Sequence, residues 1–594
     1  MIDIQTLRNT PHTIIAIGTY PAIIQAMIDF DFLSGKDKPS IALILAEGRN
    51  HERYFWGKEE ILIPVVHEVH SIPDSLQKQI TFFVNFSSGR RTKDTTLEIL
   101  DALPGLIGGA LFAEKVPEKH SLRMYAHAKK LGKFIVGPAS IGLLLPGSVK
   151  LGAIGGTDAR QLISADVFQR GSVAVLSASG GMTNELINAV TRSNKRISFS
   201  LAFGGERFPV TTPTEAFLAA EKDLETKTII YFGELGGSDE YDLAQLMQSG
   251  SITKPILCYI AGSVAEMFDT PPQFGHAKAL AQSKDETARG KRDMLEKAGA
   301  QVAESFTEFL SMINALPVDQ FEEKSYAHAL QLFASRHEAL ITSSISGDAN
   351  GVTGLLHEDL LSFVQKRSFA GIVCSLFLGR NEVSPELEEF VDFVLRLLVD
   401  HGPNVSGAMN TIVTARAGRD IVSSLVSGLL TIGPRFGGAI NQAAENLLLG
   451  VTTGQDAADF VESFASTRQY IAGIGHKKYR SDLPDPRVKA LKAFGEKLEQ
   501  KRFLQYALAI EKITTQKKGN LILNVDGAIA AILLDILSEK EHYSDQELQT
   551  LVESEFFNAF FILSRSVGFL AHFLDQKRID EGIFRLPDDL ILHI

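Results

Sequence analysis

Short apolar runs punctuate the first 330 residues: TIIAIG at 13–18, SIALIL at 40–45, ITFFVNF at 80–86, KFIVG at 133–137, GSVAVLSASGG at 171–181, TKTIIYFGELGG at 226–237 and KPILCYIAG at 254–262. They are continuous rather than alternating and most end in Gly, which is the pattern of strands covered on both faces of a parallel sheet. Segments of helical spacing separate them. This alternation predicts two doubly wound α/β domains, with ligands at the C-terminal ends of the strands. After about Pro317 the strand-like runs nearly vanish. Ser384-Pro385 suits the N-cap and first position of a helix. Leu387, Phe390, Val391, Val394, Leu395 and Leu398 follow on one face, and Asp400-His401-Gly402-Pro403 stops it. The expected organisation is an α/β domain over 1–155, a second over 156–316, a linker over 317–337 and a mostly α-helical domain over 338–594.

Composition narrows the function. A chain of 594 residues needs more than one core, three or four domains by length. With 45% hydrophobic and 22% charged residues it is ordinary globular material. Lys and Arg number 59 against 71 Asp and Glu, a net charge of −12, which argues against nucleic acid as the partner. Two cysteines, Cys258 and Cys374, sit inside apolar runs, so neither a disulfide scaffold nor a Cys-based zinc module is expected and no metal site is assigned. The longest stretch free of formal charge, 9–28, contains two prolines and is a poor membrane span. No secretory signal is read, and the expected compartment is the cytoplasm.

Three strand ends in the α/β half carry unusual residues. Gly180 and Gly181 form a glycine-rich turn from strand to helix, where free N–H groups and the helix dipole favour a phosphate or carboxylate; a tight turn alone would also need glycine. Glu234 ends an apolar strand, where an unpaired carboxylate is costly unless it faces water or finds a partner. His276 lies in the loop sequence QFGHAKA; a lone loop histidine is usually surface. In the helical half, His401 follows a predicted helix C-terminus, whose dipole favours a protonated imidazole. His476 lies in GIGH. Asp526 follows the apolar run LILNV, so its pKa is expected to be raised, as suits an acid–base carboxylate.

SASGGMTNE, GELGG and FGHAKA, in that order, resemble the α-subunit of succinyl-CoA synthetase and, more closely, the ATP-citrate lyase family. AMIDFDFLSGKDKPS, YFWGKEEILIPV and GPASIGLLLPG extend that likeness. VDHGPNVSGAMNT, GIGHKKYRSDLPDPR, EKITTQKKGNLILNVDG and SRSVGFLAHFLDQKR resemble citrate synthase and the C-terminal domain of ATP-citrate lyase. The resemblance implies that His276 carries a phosphoryl group, that Glu234 holds its imidazole, and that the Gly180-Gly181 turn receives phosphate or a citrate carboxylate. It implies CoA binding by the first domain, with Ser88 and Arg90 as candidates, and Lys577 and Arg578 meeting CoA phosphates; solvated basic segments are the plainer reading of both pairs. It further implies citryl-CoA cleavage, with Asp526 handling the proton on the acetyl carbon, His476 at the citryl hydroxyl, His401 polarising the substrate, and Arg487 and Arg565 clamping carboxylates through the bidentate guanidinium fork. Two departures stand out. Lys278 replaces the family's usual Gly, and Arg435-Phe436-Gly437-Gly438 stands where citrate synthases carry PLHG, which favours cleavage over synthesis. The first βα turn, Gly18-Thr19-Tyr20-Pro21, lacks a G-x-G-x-x-G pattern, so no dinucleotide site is assigned.

No nucleotide-grasp domain is read. The resemblance therefore implies a separate ATP-grasp subunit, resembling the succinyl-CoA synthetase β-subunit, that brings ATP and Mg, and a four-plus-four hetero-octamer built on citrate synthase-type dimers. Two rivals remain: a ligase α-subunit fused to a synthetic citrate synthase, and a non-catalytic assembly scaffold.

Overall fold

The computed structural model describes residues 2–268, 272, 279–281, 283–349, 352–433 and 438–594. The chain divides into two compact units, Met1–Leu340 and Ile341–Ile594. Among the described residues, the first unit holds two seven-stranded sheets, each flanked by helices. The first sheet comprises β1 (Thr13–Ile17), β2 (Ile41–Leu45), β3 (His51–Trp56), β4 (Glu59–Val66), β5 (Ile80–Asn85), β6 (Gly108–Leu111) and β7 (Phe134–Val136), in the order β3-β4-β2-β1-β5-β6-β7. All neighbours are parallel except the β3–β4 hairpin. Ile14 to Ile17 are at most 2% exposed, as a strand covered on both faces requires. β1 pairs with β2 on one side and β5 on the other, so the chain direction of winding switches there and leaves a crevice at the strand ends.

The second sheet comprises β8 (Gly142–Leu145), β9 (Val149–Leu151), β10 (Val173–Ser177), β11 (Ile197–Ala202), β12 (Thr228–Glu234), β13 (Ile256–Ala261) and β14 (Gln301–Val302), in the order β14-β13-β12-β10-β11-β8-β9. β10 to β14 are mutually parallel, whereas the β8–β9 hairpin joins antiparallel to β11. The second sheet thus begins at Gly142, before the expected division at 155. Leu143, Leu144 and Leu145 are fully buried, and β8 takes its place in the sheet by pairing with β11.

The stretch expected as a linker, 317–337, lies along the first unit. The Asp319 carboxylate accepts the N–H groups of Ser172 and Arg196 at 3.3 and 2.8 Å. The Arg196 guanidinium stacks on Phe321, 3.7 Å from its centroid. A helix, Ala327–Ala334, follows, and Arg336 pairs with Asp29 at 2.5 Å. The strap therefore touches both sheet-bearing halves.

The second unit opens with a small antiparallel sheet, β15 (Ser346–Ala349), β16 (Val352–Leu355) and β17 (Glu358–Asp359), and is otherwise helical. Helix Pro385–Leu397 starts as expected, with Ser384 accepting the Leu387 N–H at 3.2 Å and Pro385 in its first turn. Its apolar face, Leu387, Phe390, Val391 and Val394, is buried. Helix Val525–Glu539 is buried from Gly527 through Leu537 and forms the centre of this unit.

Candidate functional site

In the second sheet, β10 leads into helix Gly180–Arg192, whose N-cap Ser179 makes no side-chain cap bond. Ser177 Oγ accepts the Ser179 N–H and donates to the Ser179 carbonyl, both at 3.0 Å, which shapes the turn. A Cβ at 180 would meet Ile141 at 2.7 Å, whereas nothing lies within 4 Å of one at 181. Gly180 is thus needed for packing and Gly181 borders open space, leaving uncapped first-turn N–H groups suited to an anion.

Glu234 ends β12 and is partly buried. Beneath it lies a network that the sequence did not reveal. Lys291 Nζ donates to the carbonyls of Glu234 and Gly236 at 2.9 and 2.6 Å and pairs with Glu240 Oε2 at 2.6 Å. Glu240 Oε1 accepts the Tyr231 hydroxyl at 2.7 Å. Burial, reinforced by the Glu240 charge, holds the Tyr231 phenol well above its ordinary pKa, so it stays a donor. One buried ammonium therefore ties down the GELGG turn, in which Gly236 and Gly237 take φ of +87° and +68°. His276 and Lys278 lie outside the described residues, as do positions 435–437.

At the C-terminal ends of β1, β2 and β5 opens a cleft of about 720 Å³, whose lining includes Gly18, Thr19, Glu47, His67, Ser87 and Arg91. Ser88 and Arg90, the residues expected to meet CoA, are not among its lining. The Ser88 carbonyl accepts the N–H groups of Arg91 and Thr92, both at 2.9 Å, and this turn into helix Thr92–Ala102 brings Ser87 and Arg91 to the cleft instead. Lys577 and Arg578 occupy the exposed last turn of helix Phe556–Ile579, roughly 18 Å along its axis from Arg565. Arg578 pairs with Asp575 at 3.3 Å there.

The helical unit gathers its five expected residues from four segments. Gly473 and Gly475 take φ of +85° and +101°. A Cβ at 473 would lie 2.7 Å from the Gly527 Cα, so the two glycines let the GIGH segment close on the start of helix Val525–Glu539. Asn524 caps that helix, accepting the Gly527 N–H at 3.1 Å and donating to the Gly475 carbonyl at 3.1 Å. Asp485 caps helix Pro486–Gly495 and grips Arg487 through Nη2 at 2.7 Å and Nε at 3.2 Å. Arg487 Nη1 stands 3.2 Å from His401 Nδ1, and His476 Nε2 lies 3.9 Å from Asp485 Oδ2. Arg565 is only 4% exposed, and among the described residues its Nε and Nη1 find no hydrogen-bond partner, which fits a carboxylate ligand.

The geometry fixes two tautomers. His476 Nδ1 accepts the N–H groups of Lys478 and Tyr479 at 3.0 and 2.9 Å, so its proton sits on Nε2. A guanidinium can only donate, so His401 Nδ1 also accepts and its Nε2 carries the proton. Burial lowers the pKa of His401, and Arg487, Arg565 and His476 add to this against Asp400. Its expected protonation therefore does not occur near neutrality: desolvation and two guanidinium groups outweigh the partial charge of a helix end. Burial likewise lowers His476, with Asp485 opposing and Arg487 and Lys478 assisting. Asp526 is the converse. Burial pushes its carboxyl up to about 6, against the pull of Arg487 and Arg565. The site thus offers two neutral N–H donors, one carboxyl that titrates near neutrality and two guanidinium clamps. Asp485 and Asp400 complete it; Asp485 was legible only as a helix cap before Pro486. Among the described residues no group of three His, Cys, Asp or Glu side chains is placed to hold a metal ion.

Residues 176–301 match the CoA-ligase family, and residues 268–586 match the citrate synthase C-terminal domain family. Probable ATP-citrate synthase subunit 1 of Neurospora crassa is 37% identical over 97% of this chain and 88% of its own length. ATP citrate lyase of Methanothrix soehngenii, solved with citrate and coenzyme A, is 34% identical with a TM-score of 0.52, covering 100% of this chain and 98% of its own. An aspartate-to-alanine variant of Methanosaeta concilii ATP citrate lyase, solved with (3S)-citryl-CoA, is 33% identical with the same TM-score and coverage. A likeness that runs the full length, with a CoA-ligase region preceding a citrate synthase-like one, makes this chain a member of the ATP-citrate synthase (ATP-citrate lyase) family.

Proposed function

We propose that this chain is the large subunit of a two-subunit ATP-citrate lyase, converting citrate, CoA and ATP to acetyl-CoA, oxaloacetate, ADP and phosphate. A separate ATP-grasp subunit supplies the site for ATP and Mg. Oxide is a poor leaving group, so the carboxylate is activated in stages. His276 takes the γ-phosphoryl group, releasing ADP. A citrate carboxylate oxygen then takes it from His276, giving citryl phosphate. The CoA thiol attacks the acyl carbon, phosphate leaves, and citryl-CoA forms. Glu234 supports the phosphohistidine, and the Gly180-Gly181 turn receives the anion. CoA enters the cleft beside Arg91.

Cleavage belongs to the helical unit. The citryl hydroxyl gives its proton to solvent water as the carbon–carbon bond breaks and its electrons pass to the thioester, so the proton lost from oxygen balances the one that carbon receives. The His401 Nε2–H stabilises the resulting enolate oxygen, and the His476 Nε2–H meets the oxygen that becomes the ketone. The Asp526 carboxyl, whose pKa burial raises to about 6, gives its proton to the new carbanion in its protonated form. Arg487 and Arg565 hold carboxylates. The observation that carries this reading is the meeting of two neutral histidines, a raised carboxyl and two guanidinium groups in one cluster. The same reading makes the enzyme a cytoplasmic hetero-octamer of four large and four ATP-grasp subunits.

Supplied citryl-CoA is the test. The purified chain should release acetyl-CoA and oxaloacetate from it, and should turn over citrate and ATP only once the ATP-grasp subunit is added. With γ-labelled ATP, the acid-labile phosphopeptide should contain His276. A chain that leaves citryl-CoA intact would refute the reading.

A further inference from the structure

Helix Phe556–Ile579 carries Arg565, Gly568 and His572 at positions i, i+3 and i+7, a single face. The Val399–Asp400–His401 segment docks there. A Cβ at 568 would lie 2.1 Å from the Val399 carbonyl oxygen, so only glycine admits so close an approach. One turn on, His572 Nε2 lies 3.1 Å from Asp400 Oδ1. The other Asp400 oxygen accepts the Gly402 N–H at 3.0 Å, and Gly402 takes φ of +94°. Asp400 therefore brackets the peptide that carries His401, and His572 fixes the rotamer of Asp400. The His401 ring leaves this bracket toward Arg487. Burial raises the Asp400 carboxyl, but the Gly402 N–H, His572 and the His401 N–H outweigh it, and the group sits below its ordinary pKa. It is thus a firm acceptor for the imidazole N–H.

We propose that His572 is a positioning residue for citryl-CoA cleavage: it donates from Nε2 to Asp400 and so holds the His401 loop, against the Gly568 gap, in the orientation that presents the His401 Nε2–H to the substrate. The proposal rests on the lyase reading of this cluster. His572 touches no reacting atom; its effect runs through Asp400 and the main chain. A displacement of about 1 Å in such a donor is enough to cost up to ~100-fold in rate.

The experiment uses the full chain with its ATP-grasp subunit, fed citryl-CoA directly. His572→Ala should lower kcat about 10- to 100-fold while leaving KM within about twofold, because substrate carboxylates are held by Arg487 and Arg565. His572→Gln, whose amide N–H reaches a similar point, should recover most of the rate. Asp400→Ala should lose as much as His572→Ala, and the double variant no more than either, since both remove one device. A merely structural residue would lower the unfolding midpoint and leave kcat per folded molecule unchanged. Additive losses, a Gln variant as slow as Ala, or an Ala variant as fast as the parent would each overturn the proposal. If the parent protein itself leaves citryl-CoA intact, the lyase reading fails, and that result is separate from any effect of His572.

Discussion

Under the proposed function, the two units prepare for anions by opposite means. The α/β unit uses main chain: uncapped N–H groups at Gly180-Gly181, a glycine turn whose carbonyls are tied to Lys291, and a crevice where the winding reverses at β1. The helical unit uses side chains: two guanidinium groups set against neutral imidazoles and a carboxyl whose proton is kept by burial. Peptide dipoles are fixed and carry no titratable charge, so they suit a phosphoryl group that arrives and departs. Breaking a carbon–carbon bond needs a proton delivered to carbon near neutral pH. That requires a group whose pKa the fold itself sets.

Asp526 is where this contrast is sharpest. Asp526→Asn should lower citryl-CoA cleavage about 10²- to 10⁴-fold, the usual worth of a positioned acid. The parent's kcat/KM for cleavage should fall as pH rises through about 6, because the protonated carboxyl is the working form; the reverse condensation should rise over the same range. Stability moves with the same proton. The folded pKa is raised, so the native state binds the proton more tightly, and that stabilisation is lost as pH climbs from the ordinary carboxylate value through about 6. The loss is about 3 kcal/mol at most. Asp526→Asn, which does not ionise, should therefore be more stable than the parent at pH 8 and equal to it near pH 4, measured by urea unfolding. Superimposable curves at pH 8 would break the claim that burial sets this carboxyl.

The main-chain site predicts a different failure. Lys291 and Glu240 are 1% and 2% exposed at their side chains and 2.6 Å apart. Lys291→Met strands the Glu240 charge and should destabilise the first unit by about 3–5 kcal/mol. The chain's single tryptophan, Trp56 in β3, reports that unit by fluorescence. Phosphohistidine formation should fall with it. Cleavage of supplied citryl-CoA, which the proposed function gives to the helical unit, should persist. Adding Glu240→Leu removes the stranded charge and should recover part of the loss. Loss of citryl-CoA cleavage in Lys291→Met at temperatures where the helical unit stays folded would contradict a division of labour between the units.

Legibility in the sequence follows the same division. Continuous apolar strands and the Ser384-Pro385 start were readable because period and capping are local. The β8–β9 hairpin was not, since LLL specifies burial but not which sheet supplies it. The strap at 317–337 reads as polar chain, and only Asp319, Phe321 and Arg336 meeting distant partners reveal its attachment. Motif glycines and the residues beside them pointed to His401, His476 and Asp526, and the family resemblance added Arg487 and Arg565. The groups behind them were hidden. Lys291 sits in ARGKRDMLEK, which reads as a solvated helix, and His572 sits among apolar residues of one long helix. Charged residues look alike in a helical pattern until the tertiary partner is known. The protonation of His401 was misread for a related reason: the helix end is local, but the two guanidinium groups that outweigh it arrive from residues 487 and 565.

The smallest expected effect tests the register of a single turn. Arg91 lines the β1–β2–β5 cleft and Arg90, one residue earlier, is exposed and does not. A charge-assisted contact to a phosphate is worth about 1.5–3 kcal/mol, so Arg91→Ala should raise the KM for CoA in the ATP-dependent reaction by roughly tenfold or more, and Arg90→Ala by less than twofold. The KM for citryl-CoA in the cleavage reaction should be unmoved by either, because that thioester is split in the helical unit. The Arg91 effect should also shrink at high salt, since the cleft is open to solvent. If Arg90 moved the KM and Arg91 did not, the ligand would lie outside the cleft, and the α/β unit would recognise CoA by exposed side chains rather than at its winding reversal.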